Sequence, residues 1–425
     1  MAVDTALSAV FPLGSRLDAR GHLQVGGCDA VELAREFGTP AYVVAEDDVR
    51  SRARSALAAA RAHHPDLQVV FAAKAMPCTA VLGLLAEEGL WCDVASGGEL
   101  HLALRAGFAP ERLVVHGNAK STAELRRALE VGVGLIVIDN DSEIDRLVEL
   151  IAEGALEAAR TQAVLIRVTP AVSGRTHAKI STGQADSKFG FALDQAPAAI
   201  RRVRETGGLD LDGLHAHVGS QLTDLSPLSA TARALAGLGE HRVYDLGGGL
   251  GVAYDDQDRP PSIEDYVAAV VDAAGEHLGG ARRLMIEPGR ALVANAGVTL
   301  YSVESVKKNV STWVAVDGGM SDNLRPMLYS ARYRAEVADR FGGSTPCRLA
   351  GKHCESGDVI VTDALLDDPR PGDIIVTPAT GAYGYAMANN YNCVLRPPVI
   401  LCRDGDARVV VRRETLEDLG ARDVL

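Results

Sequence analysis

V-V-F-A-A-K-A-M-P, residues 69–77, is an apolar run that ends on a single lysine and is followed at once by proline. Such a run predicts a buried strand, which places Lys74 at its C-terminal end, before Pro77 opens the next element. The active sites of α/β barrels are built at the C-terminal ends of their strands. A lysine desolvated there is suited to form a Schiff base with an aldehyde. The alternative is a strand-end lysine whose ammonium group reaches solvent.

Strand-like runs of the same kind recur downstream, and helical stretches such as 79–88, 97–106, 122–131 and 142–153 lie between them. Eight runs are found: VVFAAK (69–74), LWCDVAS (90–96), LVVHGN (113–118), GLIVID (134–139), AVLIRV (163–168), LHAHVGS (214–220), VYDLGGG (243–249) and LMIEPG (284–289). Strands that alternate with helices predict a parallel sheet, and eight of them predict a closed (β/α)8 TIM barrel. The alternative, an open doubly wound sheet, usually has fewer strands and one glycine-rich phosphate turn near its start.

The pattern changes after about residue 295, where strands follow one another with proline and glycine turns. The strand-like segments there are 298–308, 311–319, 347–354, 358–366, 373–379, 396–403 and 407–414. They predict a C-terminal all-β domain of antiparallel strands. We therefore expect three regions: an N-terminal segment (1–38) that joins the β domain, a barrel (39–295) and the β domain itself (296–425).

Composition limits the classes of function. The chain has 425 residues, of which 47% are hydrophobic and 23% charged, and 43 basic against 56 acidic residues give a net charge of −13. This balance argues against a nucleic-acid or anionic-membrane partner. Seven scattered cysteines without a C-x-x-C pair predict reduced thiols rather than a disulfide framework or zinc ribbon. With neither a signal peptide nor a membrane-spanning run in evidence, we expect a cytoplasmic protein.

The seventh strand ends in D-L-G-G-G-L-G (245–251), and the eighth in E-P-G-R (287–290). Successive glycines let backbone N–H groups converge on an anion, and the loops after strands seven and eight are the usual phosphate site of a barrel. The alternative is a tight turn, which needs only one glycine. Glu287 at a strand end is placed to pair with a cationic ring nitrogen, although a Glu287–Arg290 ion pair is a plainer reading.

The sixth strand ends in H-A-H-V-G-S-Q (215–221). Alternation along a strand sends His215 and His217 to the same face, so one is suited to stack on a flat ligand while Ser220 reaches a phosphate. A zinc site is the alternative for H-x-H, but no third ligand has convincing spacing, and we expect no metal.

The ordered motifs F-A-A-K-A, D-V-A-S-G-G-E, H-G-N-A-K-S, T-G-Q-A-D-S-K-F-G, H-A-H-V-G-S-Q, D-L-G-G-G-L-G and E-P-G-R resemble those of the fold-type III pyridoxal-phosphate-dependent amino acid decarboxylases. This is the ornithine/arginine decarboxylase group 2, whose barrel is alanine-racemase-like. The resemblance covers roughly residues 35 to 415. D-G-G-M-S-D-N-L-R-P-M-L-Y (317–329), G-K-H-C-E-S-G-D (351–358) and G-A-Y-G-Y-A-M-A-N-N-Y-N (381–392) narrow it to the diaminopimelate decarboxylase branch.

The resemblance implies a role for individual residues. Lys74 would carry pyridoxal 5'-phosphate as a Schiff base, and Cys354 would return a proton to the α-carbon from the partner subunit of a homodimer with shared active sites. The other implied cofactor contacts are His217 (ring stacking), Glu287 (ring nitrogen), Tyr383, and, around the phosphate, Ser220, Gly247, Gly248, Gly249, Gly289 and Arg290. The implied substrate contacts are Arg290, Arg325 and Tyr329 for a distal carboxylate, Glu355 for a distal ammonium group, and Tyr383.

Cys354 also has an interpretation from chemistry alone. A thiol with the ordinary pKa of about 8.5 is largely protonated near neutral pH and is therefore a reasonable proton donor. The alternative is a buried structural thiol, but the charged neighbours in K-H-C-E-S-G-D argue against simple core packing. Two features depart from the family pattern: a short segment between strands six and seven (222–242), and the N-N-Y-N run.

The resemblance thus implies the decarboxylation of meso-2,6-diaminopimelate to L-lysine and CO2, the last step of lysine biosynthesis. The nearest alternative is a pathway-specific relative that acts on another amino acid with a distal carboxylate. A pyridoxal-phosphate-dependent racemase is a further alternative, although racemases resembling this fold place an arginine, and not a residue like Glu287, opposite the ring nitrogen. A small cofactor-carrying protein would lack the second domain.

Overall fold

The structure, a computed structural model, describes residues 7–157, 160–172, 187–279 and 283–424. The chain divides into two compact units. A β unit comprises the described residues up to 51, residues 252–259 and those from 292 onward, and a barrel unit comprises those of 52–251 and 260–291. Among the described residues, no helix is both long and apolar enough to cross a membrane.

The elements that precede the barrel strands form short pairings and two helices. They are β1 (Arg16–Leu17), β2 (Leu23–Val25), β3 (Cys28–Asp29), α1 (Ala30–Phe37), β4 (Ala41–Ala45) and α2 (Glu46–His63). β1, β2 and β3 pair in an antiparallel sheet. The Asp29 side chain accepts hydrogen bonds from the backbone N–H groups of Val31 and Glu32, so helix α1 begins immediately after β3.

The barrel unit alternates strands with helices. Its strands are β5 (Leu67–Ala72), β6 (Trp91–Val94), β7 (Leu113–Val115), β8 (Leu135–Ile138), β9 (Gln162–Thr169), β10 (Phe191–Ala192), β11 (Leu209–His215), β12 (Val243–Asp245) and β13 (Arg283–Ile286). Its helices are α3 (Thr79–Glu88), α4 (Gly97–Arg105), α5 (Thr122–Val131), α6 (Asp141–Ala152), α7 (Ala196–Glu205), α8 (Ser226–Ala236) and α9 (Ile263–His277).

The predicted closed barrel is confirmed. The order β9-β11-β12-β13-β5-β6-β7-β8 is parallel throughout, and β8 pairs with β9 to close the ring. Buried apolar side chains from these strands, among them Val70, Leu165 and Met285, form one cluster. Complete burial of each such side chain stabilises the fold by roughly 1.5–3 kcal/mol.

The remaining elements belong largely to the β unit. They are α10 (Arg290–Val293), β14 (Gly297–Lys308), β15 (Thr312–Val316), α11 (Arg325–Tyr329), β16 (Glu336–Val337), β17 (Thr345–Ala350), β18 (Val359–Leu366), β19 (Ile374–Pro378), β20 (Val399–Arg403), β21 (Asp406–Val411) and α12 (Leu416–Gly420). The main sheet has the order β18-β17-β15-β14-β4-β20-β21, and β19 pairs with β14 and β16.

The β unit differs from the sequence prediction in two respects. The sheet is mixed rather than antiparallel, because β15 pairs in parallel with β17 and β20 pairs in parallel with β4. In addition, β4 lies between β14 and β20, although the sequence analysis grouped residues from 39 onward with the barrel. All five residues of β4 are buried, as expected for a central strand.

Candidate active site

Each of the eight barrel strands has a charged or titratable side chain within its last three residues or within the two residues that follow it. In strand order along the chain these are Lys74, Asp93, His116, Asp139, Arg167, His215, Asp245 and Glu287. Seven of them are buried, whereas Lys74 is exposed. Because the strands are parallel, all eight residues lie at the same end of the barrel. Only Lys74, His215 and Glu287 were singled out from sequence.

Glu287 lies at the centre of this layer. Its Oε1 is 2.6 Å from His116 Nε2, and its Oε2 is 3.3 Å from His215 Nε2. Burial alone would raise the pKa of Glu287, but the two imidazoles hold that pKa well below its usual value. Glu287 is therefore a buried carboxylate kept ionised by neighbours on strands β7 and β11.

His215 is held neutral. It is 1% exposed, and burial lowers its pKa to about 4 although the Glu287 carboxylate opposes that shift. The pKa of Asp245, on the neighbouring strand, is shifted in the opposite direction. Burial and the charge of Glu287 raise it well above its usual value. The ligand atoms of His116, His215, Asp245 and Glu287 lie within 4.8 Å of one another, a spacing that also suits a metal ion. We interpret the group as a polar cluster around the Glu287 carboxylate, since both imidazoles contact Glu287 directly.

His217 lies beyond the end of β11, so strand alternation does not govern its direction. The side chain is half-buried, and its Nδ1 accepts a hydrogen bond from the backbone N–H of Gly248 at 3.0 Å. Burial, and then the positive charge of Lys74, lower the pKa of His217 well below its usual value. The ring is thus neutral and carries its proton on Nε2, and the glycine loop fixes its edge.

The glycine loop after β12 is packed too closely for side chains. A Cβ on Gly248 would lie 2.0 Å from the Glu287 carbonyl oxygen, and one on Gly249 would lie 2.4 Å from the Gly219 carbonyl oxygen. Gly247 and Gly249 also have positive φ angles of 70° and 110°. These contacts explain the run of glycines better than a single tight turn does.

The glycine run predicts backbone N–H groups that converge on one anion. The structure differs, because two of these N–H groups are bonded within the protein. Gly247 N–H donates to Asp245 Oδ1 at 2.8 Å, and Gly248 N–H donates to His217. Tyr266 on α9 donates its hydroxyl to the carbonyl oxygens of Gly247 and Gly248 at 3.0 and 3.2 Å. The loop is therefore held by residues around it, and Tyr266 was not found from sequence because no motif includes it.

Ser220 and Arg290 meet at the same end of the barrel. Arg290 Nη2 donates to Ser220 Oγ at 2.8 Å, and Arg290 is buried. A Cβ on Gly289 would lie 3.0 Å from the Cβ of Ala72 and 3.2 Å from that of Ala75, on either side of Lys74. A guanidinium and a hydroxyl held together in this way form a suitable pair of donors for a phosphate group.

Lys74 lies in a 3-10 turn, Ala73–Ala75, directly after β5. The described structure leaves it exposed, so the desolvation assumed in the sequence analysis is not supplied by these residues. Lys120, by contrast, is buried and donates to the carbonyl oxygens of Gly117 and Val137, each at 2.7 Å. Its Nζ also lies 2.9 Å from Glu143 Oε2. Lys120 therefore stabilises the loop that follows β7 against strand β8 through these contacts.

The β unit contains the other predicted site residues. Arg325 is buried at the start of α11 and donates to the hydroxyl of Tyr333. Its guanidinium lies 4.6 Å from the ring centre of Tyr254 and 5.5 Å from that of Tyr333, a cation–π arrangement. Burial opposes the charge, but the two tyrosines hold the pKa of Arg325 above its ordinary value. Tyr254 and Tyr333 were missed because an isolated tyrosine carries no positional signal.

Tyr329, at the end of α11, and Tyr383 are both partly buried. Tyr383 has a φ of +61°, a strained conformation for an aromatic residue that is found disproportionately at functional sites. Cys354 and Glu355 lie in the loop between β17 and β18, and both are exposed. The first five residues of T-G-Q-A-D-S-K-F-G, 182–186, lie outside the described residues.

The family described as "Pyridoxal-dependent decarboxylase, pyridoxal binding domain" matches residues 47–294. With the closed barrel and the carboxylate and donor groups at its strand ends, this match defines a pyridoxal-phosphate-dependent decarboxylase.

Individual relatives of known name show which branch of the pyridoxal-phosphate-dependent decarboxylases this chain belongs to. A diaminopimelate decarboxylase of Actinosynnema pretiosum subsp. auranticum is 47% identical and covers 100% of this chain and 96% of its own. That of Bacillus subtilis (strain 168) is 43% identical over 96% of this chain and 97% of its own. The crystal structure of diaminopimelate decarboxylase from M. jannaschii in co-complex with L-lysine is 33% identical, has a TM-score of 0.91, and covers 99% of both chains. The chain belongs to the diaminopimelate decarboxylase family.

The barrel residues fit the cofactor of this family. An ionised buried carboxylate, a neutral half-buried imidazole and a guanidinium–hydroxyl pair match the ring nitrogen, the ring face and the phosphate of pyridoxal 5'-phosphate. The glycine loop allows close backbone approach because no Cβ fits there. Lys74, just after the neighbouring strand β5, supplies the amine that a Schiff base with the cofactor requires.

Proposed function

We propose that this chain converts meso-2,6-diaminopimelate to L-lysine and CO2, the last step of lysine biosynthesis. The observation that carries the choice of substrate is Arg325. Among the described residues it is buried without an ion pair to any carboxylate, and its side chain contacts Tyr254 and Tyr333. A buried guanidinium is costly unless an anion compensates it, so the site calls for an anionic group on the ligand. The distal carboxylate of diaminopimelate supplies one.

The reaction breaks the bond between the α-carbon and its carboxylate. The carboxylate leaves as CO2, its bonding electron pair remains on the α-carbon, and one proton must be added there. Bound pyridoxal 5'-phosphate supplies the electron sink that makes this pair tolerable. We assign Cys354 as the proton donor and Lys74 as the lysine that holds the cofactor.

We assign the remaining roles from the family resemblance together with the charges of the barrel groups. Glu287, kept ionised by His116 and His215, stabilises a protonated ring nitrogen. His217 offers the face of a neutral ring, and Tyr383 contacts cofactor and substrate. We assign the phosphate to Ser220, Gly247, Gly248, Gly249, Gly289 and Arg290, and the distal end of the substrate to Arg290, Arg325, Tyr329 and Glu355.

The test compares kcat/KM for meso-diaminopimelate, lysine, ornithine and α-aminopimelate in wild type and Arg325→Leu. A site built on polar pairing rejects a substrate that lacks the partner group by about 10⁴–10⁵-fold. We expect strong preference for meso-diaminopimelate and the largest loss for that substrate in the variant. Comparable turnover of lysine or ornithine by wild type would instead indicate a relative with another substrate.

We also propose a cytoplasmic homodimer in which Cys354 serves the partner's site. Support comes from exposure: Cys354 and Cys393 are exposed, whereas the other five cysteines are buried, and all seven are free thiols. Residues 354–357 are all exposed, so the stretch around Cys354 is available to enter the site of a second copy.

Subunit complementation tests the shared site. Lys74→Ala and Cys354→Ala should each be nearly inactive, and random exchange should make half the dimers mixed, each with one intact site. Activity should then recover to roughly a quarter of wild type in a twofold-symmetric dimer. Absence of recovery after demonstrated subunit exchange would place both residues in the site of one chain.

A further inference from the structure

The loop that carries Cys354 and Glu355 has little packing of its own. Residues 354–357 are all exposed, and the loop lies between β17 and β18 without a buried apolar side chain to anchor it. A proton donor nevertheless has to be placed closely, because misplacement by about 1 Å costs on the order of 10²-fold in rate. The loop must therefore be fixed by polar contacts with its surroundings.

One such contact is made by Asn392. Its side-chain Oδ1 accepts a hydrogen bond from the backbone N–H of Cys354 at 2.9 Å. Asn392 is exposed and has a φ of +53°, a left-handed conformation that asparagine tolerates better than most residues. It belongs to the N-N-Y-N run at 389–392.

The segment around Asn392 is itself fixed. Asn389 N–H donates to the Ser321 carbonyl oxygen at 2.8 Å, and Asn389 Oδ1 accepts from Tyr391 N–H at 2.9 Å. The position of the Asn392 side chain is thus set by contacts that extend to the loop at 317–323, just before Arg325.

Asp358 fixes the Cys354 loop from its other side. Its carboxylate is 1% exposed and accepts from the backbone N–H and Nδ1 of His353 at 2.9 and 2.7 Å, and from Met320 N–H at 2.8 Å. The fit is close: a Cβ on Gly351 would lie 2.1 Å from this carboxylate, and one on Gly319 would lie 2.5 Å from it. The residue before Cys354 is therefore tied to the 317–323 loop.

The ring of His353 completes the connection. It stacks on Tyr391 with ring centres 5.8 Å apart and planes 13° apart. Three loops, 317–323, 351–358 and 389–393, are consequently joined by Asp358, His353 and the two asparagines at 389 and 392. The 351–358 loop carries Cys354 and Glu355, and the 317–323 loop shortly precedes Arg325.

We propose that Asn392 and Asp358 are positioning residues for the proton donor Cys354 and for Glu355. This inference rests on the proposed function, because it presupposes that Cys354 reacts. Neither residue touches the substrate in this proposal. Asn392 acts through the backbone of Cys354, and Asp358 acts through His353.

The experiment uses Asn392, because an exposed side chain can be truncated without unfolding the β unit. In Asn392→Ala we expect kcat/KM for meso-diaminopimelate to fall about 10- to 100-fold. Asn392→Asp retains the acceptor and should restore most of this activity. Asn390→Ala, a neighbouring exposed asparagine that bonds to Val394 and Glu414 instead, is the matched control and should stay close to wild type.

A second readout requires neither cofactor nor turnover. Amide hydrogen exchange of the peptide that contains Cys354 should become about 5- to 10-fold faster in Asn392→Ala, since a typical net hydrogen bond is lost. Exchange in Asn390→Ala and Asn392→Asp should remain near wild type. Asp358→Asn provides an independent variant, and it should accelerate exchange on both sides of His353.

Failure of this inference is distinguishable from failure of the proposed function. Wild-type activity in Cys354→Ser would remove the donor role, and with it this inference, while leaving the proposed reaction in place. Failure of wild type to decarboxylate meso-diaminopimelate would instead overturn the proposed function. An inactive Cys354→Ser together with wild-type kcat/KM and exchange in Asn392→Ala would overturn the positioning role alone. Equal losses in Asn390→Ala and Asn392→Ala would likewise overturn it, because the effect would then belong to the whole loop.

Discussion

The free energy of unfolding should decrease as the pH falls below neutral, because His215 is buried in its neutral form. The side chain is 1% exposed in the barrel, with its ring centre 4.8 Å from that of His116 and its Nε2 3.3 Å from Glu287. Its pKa is lowered from 6.5 to about 4, mainly by burial. A histidine with a lowered folded pKa takes up its proton more readily in the unfolded chain. Its contribution is therefore present above pH 6.5 and lost as the pH falls toward 4.

The magnitude follows from the two pKa values. At pH 7.5 both states leave this histidine almost unprotonated, whereas at pH 5.5 the unfolded chain is about nine-tenths protonated and the folded barrel is not. The difference in the free energy of unfolding between these two conditions is about 1.3 kcal/mol. The fully buried position means that solvent screening does not reduce this figure.

Urea unfolding of wild type and His215→Gln at pH 7.5 and 5.5 measures the effect. The variant lacks the titrating group, so its loss on acidification should be smaller than that of wild type by about 1.3 kcal/mol. His63→Gln is the control, because that partly exposed histidine ends α2 and pairs with Glu264 rather than with a residue of the strand-end layer. An identical pH dependence in wild type and His215→Gln would refute the assignment of a buried neutral imidazole.

Three further predictions concern the lysines and the guanidinium site. Borohydride reduction followed by peptide mapping should label Lys74, and a label on Lys120 would contradict the assignment. Lys120→Met should lower the free energy of unfolding by about 3–5 kcal/mol in chemical denaturation, because it leaves Glu143 buried without its partner; a loss below about 1 kcal/mol would argue against that ion pair. Tyr333→Phe keeps the ring beside Arg325 but removes the hydroxyl acceptor, and should raise KM for meso-diaminopimelate about 10-fold or more. An unchanged KM would show that the hydroxyl does not orient the guanidinium.

The barrel was predictable because its signals are local. Each strand is a short apolar run bounded by polar or glycine residues, and helices such as α3 and α5 have the bounds expected from sequence. The β unit was predictable only in part. Seven of its strands, β14, β15 and β17 to β21, were expected from sequence, whereas the short strands β1, β2, β3 and β16 were not. The place of β4 between β14 and β20 depends on pairing with residues more than 250 positions away. The local sequence pattern of β4 does not show which distant strands it pairs with.

In the candidate site, too, residues with a local sequence signal were predicted, and residues that depend on distant contacts were not. Lys74, Glu287 and Ser220 were predicted as site residues because each follows a strand and lies within a recognisable motif. His116 was quoted within its motif but given no role, although a polar residue at the end of every strand was a usable signal. Tyr254, Tyr333 and Asn392 act through contacts between distant segments, so their roles emerge only once those segments are brought together.

The most direct test of the central claim is the stoichiometry of the purified protein, loaded with pyridoxal 5'-phosphate, acting on meso-2,6-diaminopimelate. Released CO2 and L-lysine should appear in a one-to-one ratio, and Lys74→Ala should abolish both. Failure of wild type to release CO2 from meso-diaminopimelate, together with release from another amino acid that has a distal carboxylate, would contradict the proposed reaction.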